Sequence, residues 1–219
     1  MKQTTVWKTP AFITILMLLS ANAFAEYSKS LEGYRIFNAN CFICHGTDGK
    51  GKGPLASKLT DKPADLTDNT VLSKVSDRDL FQIIEGTAPH GEVSSAMPKW
   101  GMAIPHTQID SLVSYIRYLH RTKYPVSGNP LKGKETYDTY CTICHGADGK
   151  AKGVITKLYN MEPADHTNAS AMNKISNEKM YSIIANGTVG ATLMPGWKDI
   201  LSEKEIKDVI SYIRLISSQ

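Results

Sequence analysis

Cys41-Phe42-Ile43-Cys44-His45 recurs one hundred residues later as Cys141-Thr142-Ile143-Cys144-His145. Two thiols about one helical turn apart are spaced to add to the two vinyl groups of a haem, and the adjacent imidazole then lies beneath the iron. Each copy therefore reads as a covalent haem c attachment site, with Cys41, Cys44, Cys141 and Cys144 as anchors and His45 and His145 as iron ligands. Zinc ribbons instead pair two Cys-x-x-Cys knuckles roughly 15–20 residues apart. A thioredoxin-like redox pair needs a strand-to-helix setting, whereas a short helical pattern precedes these cysteines. The two motifs use all four cysteines of the chain, so no disulfide is expected.

The repeat extends well beyond the motif. Leu31-Glu32-Gly33 matches Leu131-Lys132-Gly133, His45-Gly46-Thr47-Asp48-Gly49-Lys50 matches His145-Gly146-Ala147-Asp148-Gly149-Lys150, and Pro63-Ala64-Asp65 matches Pro163-Ala164-Asp165. From Met97-Pro98 and Met194-Pro195 onward the offset is 97 instead of 100, a net deletion of the kind loops accept. The mature part is thus an internal duplication. Residues 26–121 form a first domain, 131–219 a second, and 122–130, with two prolines and a glycine, a connecting segment. Each half has a small core, to which a buried porphyrin would add much apolar surface.

Residues 1–25 have the layout of a cleaved secretory signal peptide: Lys2 and Lys8, an apolar run from Ala11 to Leu19, then Ala23-Phe24-Ala25. The apolar run is shorter than the roughly 20 residues that span a bilayer. Export to the periplasm, with no membrane insertion after cleavage, is the expectation. Removing this segment takes two lysines and no acids, so the formal charge falls from +4 to +2. With its charges interspersed, such a chain gives no reason to expect a nucleic-acid partner.

The helical pattern is clear in both halves, and no run of alternating strand residues stands out, so the fold class is all-α. Leu31, Tyr34 and Phe37 lie on one helical face, with Leu131, Thr136 and Tyr137 in similar places. Ile109, Leu112, Val113, Ile116 and Leu119 make an apolar stripe in the last helix of the first half, as do Ile206, Val209, Ile210, Ile213 and Ile216 in the second. Thr107 with Asp110, and Ser202 with Glu205, have capping-box or related helix-start spacing. Gly33 and Gly133 each cost about 1 kcal/mol against alanine in a helix, so a close helix crossing is expected at both. The crossing partner is the last helix of each half.

A haem held by one histidine has a sixth coordination position, and what fills it separates a carrier from a catalyst. Two similar sites should use matched residues, and only Met97 and Met194 match, in Met97-Pro98-Lys99-Trp100 and Met194-Pro195-Gly196-Trp197. Met97 and Met194 are therefore the expected second iron ligands. Met172 and Met180 read as core, Met161 as a loop residue. His90, His106, His120 and His166 read as ordinary solvated or hydrogen-bonded side chains, His90 being notable for its nearness to Met97. Trp100 and Trp197 read equally as cover for the haem or as core packing.

These motifs resemble those of class I c-type cytochromes, and the tandem resembles the periplasmic dihaem cytochromes c over nearly all of residues 27–219. The resemblance rests on the two Cys-x-x-Cys-His-Gly motifs, the Asp-Gly-Lys after each, the Met-Pro turns, and Tyr115-Ile116-Arg117 with Tyr212-Ile213-Arg214. It implies two tandem cytochrome c-like domains, each wrapped around one covalent haem with His and Met on the iron. It also implies a proline carbonyl that accepts from the proximal histidine. Pro54 fits that role, while the second half departs with Val154.

The expected function is single-electron transfer by a non-enzymatic periplasmic carrier. Its partners would be a membrane or periplasmic donor and a terminal oxidase or reductase as acceptor. The alternatives are a dihaem peroxidase or sulfur-compound oxidoreductase with one labile iron ligand, or the haem subunit of a larger dehydrogenase or oxidase.

Overall fold

A computed structural model of the chain describes residues 29–89, 93–125, 128–188 and 194–217. The expected signal peptide and His90 lie outside the described residues. All regular structure among the described residues is helical. The first half contains α1 (29–40), α2 (Phe42–His45), α3 (Asn69–Leu72), α4 (Asp77–Glu85) and α5 (His106–Arg121). The second contains α6 (Pro130–Tyr140), α7 (Thr142–His145), α8 (Val154–Tyr159), α9 (Ala169–Met172), α10 (Asn177–Asn186) and α11 (Glu203–Ser217). None of these helices is long and apolar enough to cross a membrane.

In both halves the first and last helices cross at the expected glycine. A Cβ on Gly33 would lie 1.9 Å from the carbonyl oxygen of Ser111 in α5, and one on Gly133 would lie 1.9 Å from that of Asp208 in α11. The helices therefore touch backbone to backbone, which only glycine permits. Around the first crossing Ile36, Phe37, Leu72, Leu80 and Ile84 pack against the whole expected stripe of α5. Around the second, Tyr137, Met172, Met180, Ile184 and Leu201 pack against the stripe of α11. Each fully buried Leu or Ile of these stripes contributes about 1.5–3 kcal/mol of transfer free energy, which is what holds such short helices in place. Thr136 is not part of this face. Its hydroxyl donates back to the Lys132 carbonyl, and Gly133 and Tyr137 are the inward positions.

Ser202 and Glu205 form the expected reciprocal cap at the start of α11, the serine N–H and hydroxyl donating to the carboxylate at 2.8 and 2.6 Å. Thr107 and Asp110 do not. The chain enters α5 from Pro105, so Thr107 is already inside the helix, and His106 instead meets Glu85 at 2.8 Å. Ser76 and Asp79 supply the first half's capping box, at α4.

Arginines at matched positions tie the remaining short helices to the long ones. Arg117 donates to the carbonyls of Leu72 (2.8 Å) and Val75 and to Asp77 (2.6 Å). Arg214 donates to the carbonyls of Met172 (2.6 Å) and Ile175 and to the side chain of Asn177 (2.9 Å). From Asp208 to Ser217 every residue of α11 is buried, and Leu215 belongs to the first half's core, so the two halves pack on one another.

Candidate functional site

Each Cys-x-x-Cys-His segment is a single helical turn that continues from the helix before it. The Cys41 N–H donates to Phe37 and the Cys141 N–H to Tyr137, so the crossing helices fix where the motifs begin. Gly46 and Gly146 follow with φ of 76° and 79°, left-handed values that let the chain turn back immediately after the histidine. The loop then folds under the imidazole. Gly51 and Ala151 N–H groups donate to the His45 and His145 carbonyls, and Gly53 and Gly153 to those of Cys44 and Cys144.

The imidazoles are held from behind in the same way. His45 Nδ1 donates to the Ala64 carbonyl at 3.1 Å and His145 Nδ1 to the Ala164 carbonyl at 3.0 Å. A carbonyl only accepts, so Nδ1 carries the proton and Nε2 presents a bare lone pair, the state a metal ligand requires. Burial pushes both imidazoles below the ordinary histidine value, and these carbonyl bonds partly offset it. The neutral form is thereby favoured. The orienting carbonyl is not that of Pro54, as the resemblance implied. It comes from the Pro-Ala-Asp segment present in both halves, so the Pro54-to-Val154 difference does not touch this contact.

No disulfide joins any of the four cysteines, and all are half-buried. Burial, and secondarily the neighbouring Cys44 or Cys144, pushes the Cys41 and Cys141 thiols up to about 12. Among the described residues no group of three or more His, Cys, Asp or Glu side chains is placed to hold a bare metal ion. Two unpaired thiols and one Nε2 lone pair per half are the donor set that a covalent haem needs.

The Met-Pro-x-Trp loops dock on the ends of α4 and α10. A Cβ on Gly86 would meet Lys99, and one on Gly187 would meet the Met194 carbonyl, so both loops lie directly against the helix end. Thr188 and Met194 bond each other, N–H to carbonyl at 2.9 Å and Met194 N–H to the threonine hydroxyl at 3.3 Å. Met194 is half-buried against the second core. Met97 is also half-buried, but is not among the residues packed on the first core. Trp100 and Trp197 pack on their respective cores, Trp197 edge-on to Tyr140 at 5.4 Å. Of the other methionines and histidines, Met172 and Met180 are buried core residues as expected, and His120 Nε2 bonds Asn69 at 2.7 Å.

One residue of the site went unrecognised in the sequence. His166 is buried directly against His145, their rings 4.1 Å apart and 19° from parallel, with its Nδ1 3.0 Å from the Tyr137 hydroxyl. The available signal was the repeat itself, because the matching first-half residues are Leu66 and Phe37.

The family model described as "Cytochrome C oxidase, cbb3-type, subunit III" matches twice, over residues 29–116 and 128–213. The cbb3-type cytochrome c oxidase subunit CcoP of Azospirillum sp. (strain B510) is 25% identical over 83% of this chain and 60% of its own length. The subunit FixP of Azorhizobium caulinodans is 34% identical over 50% of this chain and 38% of its own length. The chain thus spans about three-fifths, or less, of the length of these relatives. Among solved structures, a c-type cytochrome designated KustC0563 is 27% identical over 38% of this chain and 95% of its own, with a TM-score of 0.33. The Kuenenia stuttgartiensis reducing HAO-like protein complex Kustc0457/Kustc0458 is similar over 83% of this chain and 94% of its own, at 23% identity and a TM-score of 0.34. Together with the two Cys-x-x-Cys-His turns, the double match makes two covalently bound haem c groups the cofactors of this chain. With both halves matched over nearly their full length, the chain belongs to the cytochrome c oxidase, cbb3-type, subunit III family.

Proposed function

We propose that the chain is an exported electron-transfer protein that passes single electrons between redox partner proteins, with His45 and Met97 on one iron and His145 and Met194 on the other. A haem held by His and Met on both sides of the iron cycles between ferric and ferrous states without an open position for substrate. The protein's part is to bind, orient and shield. Cys41, Cys44, Cys141 and Cys144 anchor. The Ala64 and Ala164 carbonyls fix the imidazoles, and the prolines after each methionine stiffen the loops that present the thioether sulfurs. The observation that carries this reading is the duplication of one arrangement: Nδ1 bonded to a carbonyl at 3.1 and 3.0 Å beside a half-buried Cys-x-x-Cys pair. The segment 1–25 is read as the export signal, which delivers the chain to the periplasm.

The packing of Leu215 into the first half's core favours exchange between the haems inside one body. A second reading, in which the chain works as the haem subunit of a larger oxidase, is favoured by relatives that are themselves named as oxidase subunits. The ferric methionine-to-iron charge-transfer absorption of the purified protein tests the ligand set. Full intensity for two haems, halved in Met97→Leu and in Met194→Leu, is expected. Half intensity in the unaltered protein would instead indicate a labile site and a redox enzyme.

A further inference from the structure

We propose that His166, held by Tyr137, is a positioning residue that lowers the reduction potential of the second haem below that of the first, so that at equilibrium electrons collect on the first half. The inference rests on His145 being that haem's ligand. His166 and Leu66 occupy the same place in the two halves. Their N–H groups donate to the Gly149 and Gly49 carbonyls at 2.8 and 2.7 Å, and both side chains are 8% exposed. Tyr137 and Phe37 likewise correspond, each on the crossing helix and each fully buried. The change is therefore paired: hydrocarbon against hydrocarbon in the first half, imidazole bonded to phenol in the second. A buried imidazole alone would leave polar atoms unsatisfied, and the Tyr137 hydroxyl at 3.0 Å satisfies one of them.

The contact bears on the iron through its ligand. Oxidation places positive charge on the iron and on the imidazole bound to it, and the polarity of the surrounding shell decides how well that charge is accommodated. His166 lies face to face with His145 at 4.1 Å, whereas the Phe37 ring is 6.4 Å from His45 at 47° and Leu66 carries no dipole. The direct ligand contact does not differ, since both imidazoles bond an alanine carbonyl at nearly equal length. What remains different is the polar, polarisable ring on the second imidazole, which favours the ferric state. His166 is buried with an uncharged phenol hydroxyl as its partner, so it acts on His145 as a dipole and not as a charge. The somewhat deeper burial of His145 acts in the opposite direction, but is the same before and after the substitutions below.

The test is an optical redox titration of the full haem-loaded chain. In Tyr137→Phe/His166→Leu, one of the two waves should rise, changing the distribution of electrons between the haems about tenfold, or 59 mV for one electron, while the other stays. The reciprocal Phe37→Tyr/Leu66→His should lower the other wave, and this arm does not depend on whether the first variant folds. Unmoved waves in either variant, with both haems bound and their low-spin spectra unchanged, would overturn the proposal. Fewer than two thioether-bound haems in the unaltered protein would instead overturn the ligand assignment beneath it.

Discussion

Replacing Gly133 by alanine sets helix propensity against packing, and the two predict opposite signs. Propensity alone stabilises a helical Gly→Ala change by about 1 kcal/mol. At Gly133, however, the new Cβ would stand 1.9 Å from the Asp208 oxygen, 2.4 Å from its carbonyl carbon and 2.9 Å from the Val209 nitrogen. An ordinary carbon–oxygen contact is about 3.3–3.6 Å, so α6 and α11 must part by roughly 1.5 Å. All three obstructing atoms are backbone, and none can rotate away. Overpacking of this kind costs about 1–3 kcal/mol or more. Since the separation would also loosen Tyr137 and Val209, the upper part of that range applies. The net loss is then about 2 kcal/mol, which for two halves melting as one body of this size lowers Tm by roughly 4–8 °C. Thermal unfolding of the haem-loaded protein by far-UV circular dichroism measures it. Gly33→Ala, whose Cβ would meet the Ser111 oxygen at 1.9 Å, should behave alike. A rise in Tm for either variant would refute the backbone-contact reasoning.

The two arginine clamps should differ in weight. Arg214→Lys places one compact ammonium where a fork served three acceptors and strands buried carbonyls, so a loss of about 3 kcal/mol in urea denaturation is expected. Arg117→Lys should cost clearly less, because its partner Asp77 is 71% exposed and water can replace the fork. Equal losses would contradict this. The cap at α11 predicts a pH dependence. The Ser202 hydroxyl and N–H hold the Glu205 carboxyl below the usual carboxylate range, so its stabilisation is complete above the unfolded value near 4.3 and is lost as pH falls through the lowered folded value. Glu205→Gln should therefore melt lower at pH 7 and converge with the parent protein in acid. A gap that stays constant from pH 7 to pH 3 would count against the cap.

Features carried by side-chain identity at a fixed period were legible in the sequence. The stripes of α5 and α11 and the crossing glycines follow from spacing alone, because a helix turns identity at i, i+3 and i+4 into a face. Features carried by the path of the backbone were not. The group that orients His45 and His145 is a carbonyl, which every residue possesses, and only the course of the loop selects Ala64 and Ala164 over Pro54. The Thr107–Asp110 spacing carries no cap because the helix begins one residue earlier, after Pro105, which precedes it without a side-chain cap. By residue type alone His166 is one histidine among several. Set beside Leu66, with Tyr137 beside Phe37, it is a correlated change of two buried positions, and the duplication supplied that comparison.

The same comparison bears on where the second half begins. Within the segment 122–130, the Tyr124 ring lies under the Arg214 guanidinium at 4.5 Å, the Pro125 carbonyl accepts from Asn177, and Asn129 caps α6. The Gly128 and Asn129 N–H groups donate to the side chains of Ser211 and Asp208, each at 2.7 Å. Asp208 and Ser211 are buried on the face of α11 that meets this segment. Their side chains accept the backbone N–H groups that this segment brings to that face. The connecting stretch therefore closes one side of the second half's last helix as well as joining the two halves. It holds that helix against α6 at the crossing where Tyr137 is positioned to bond His166.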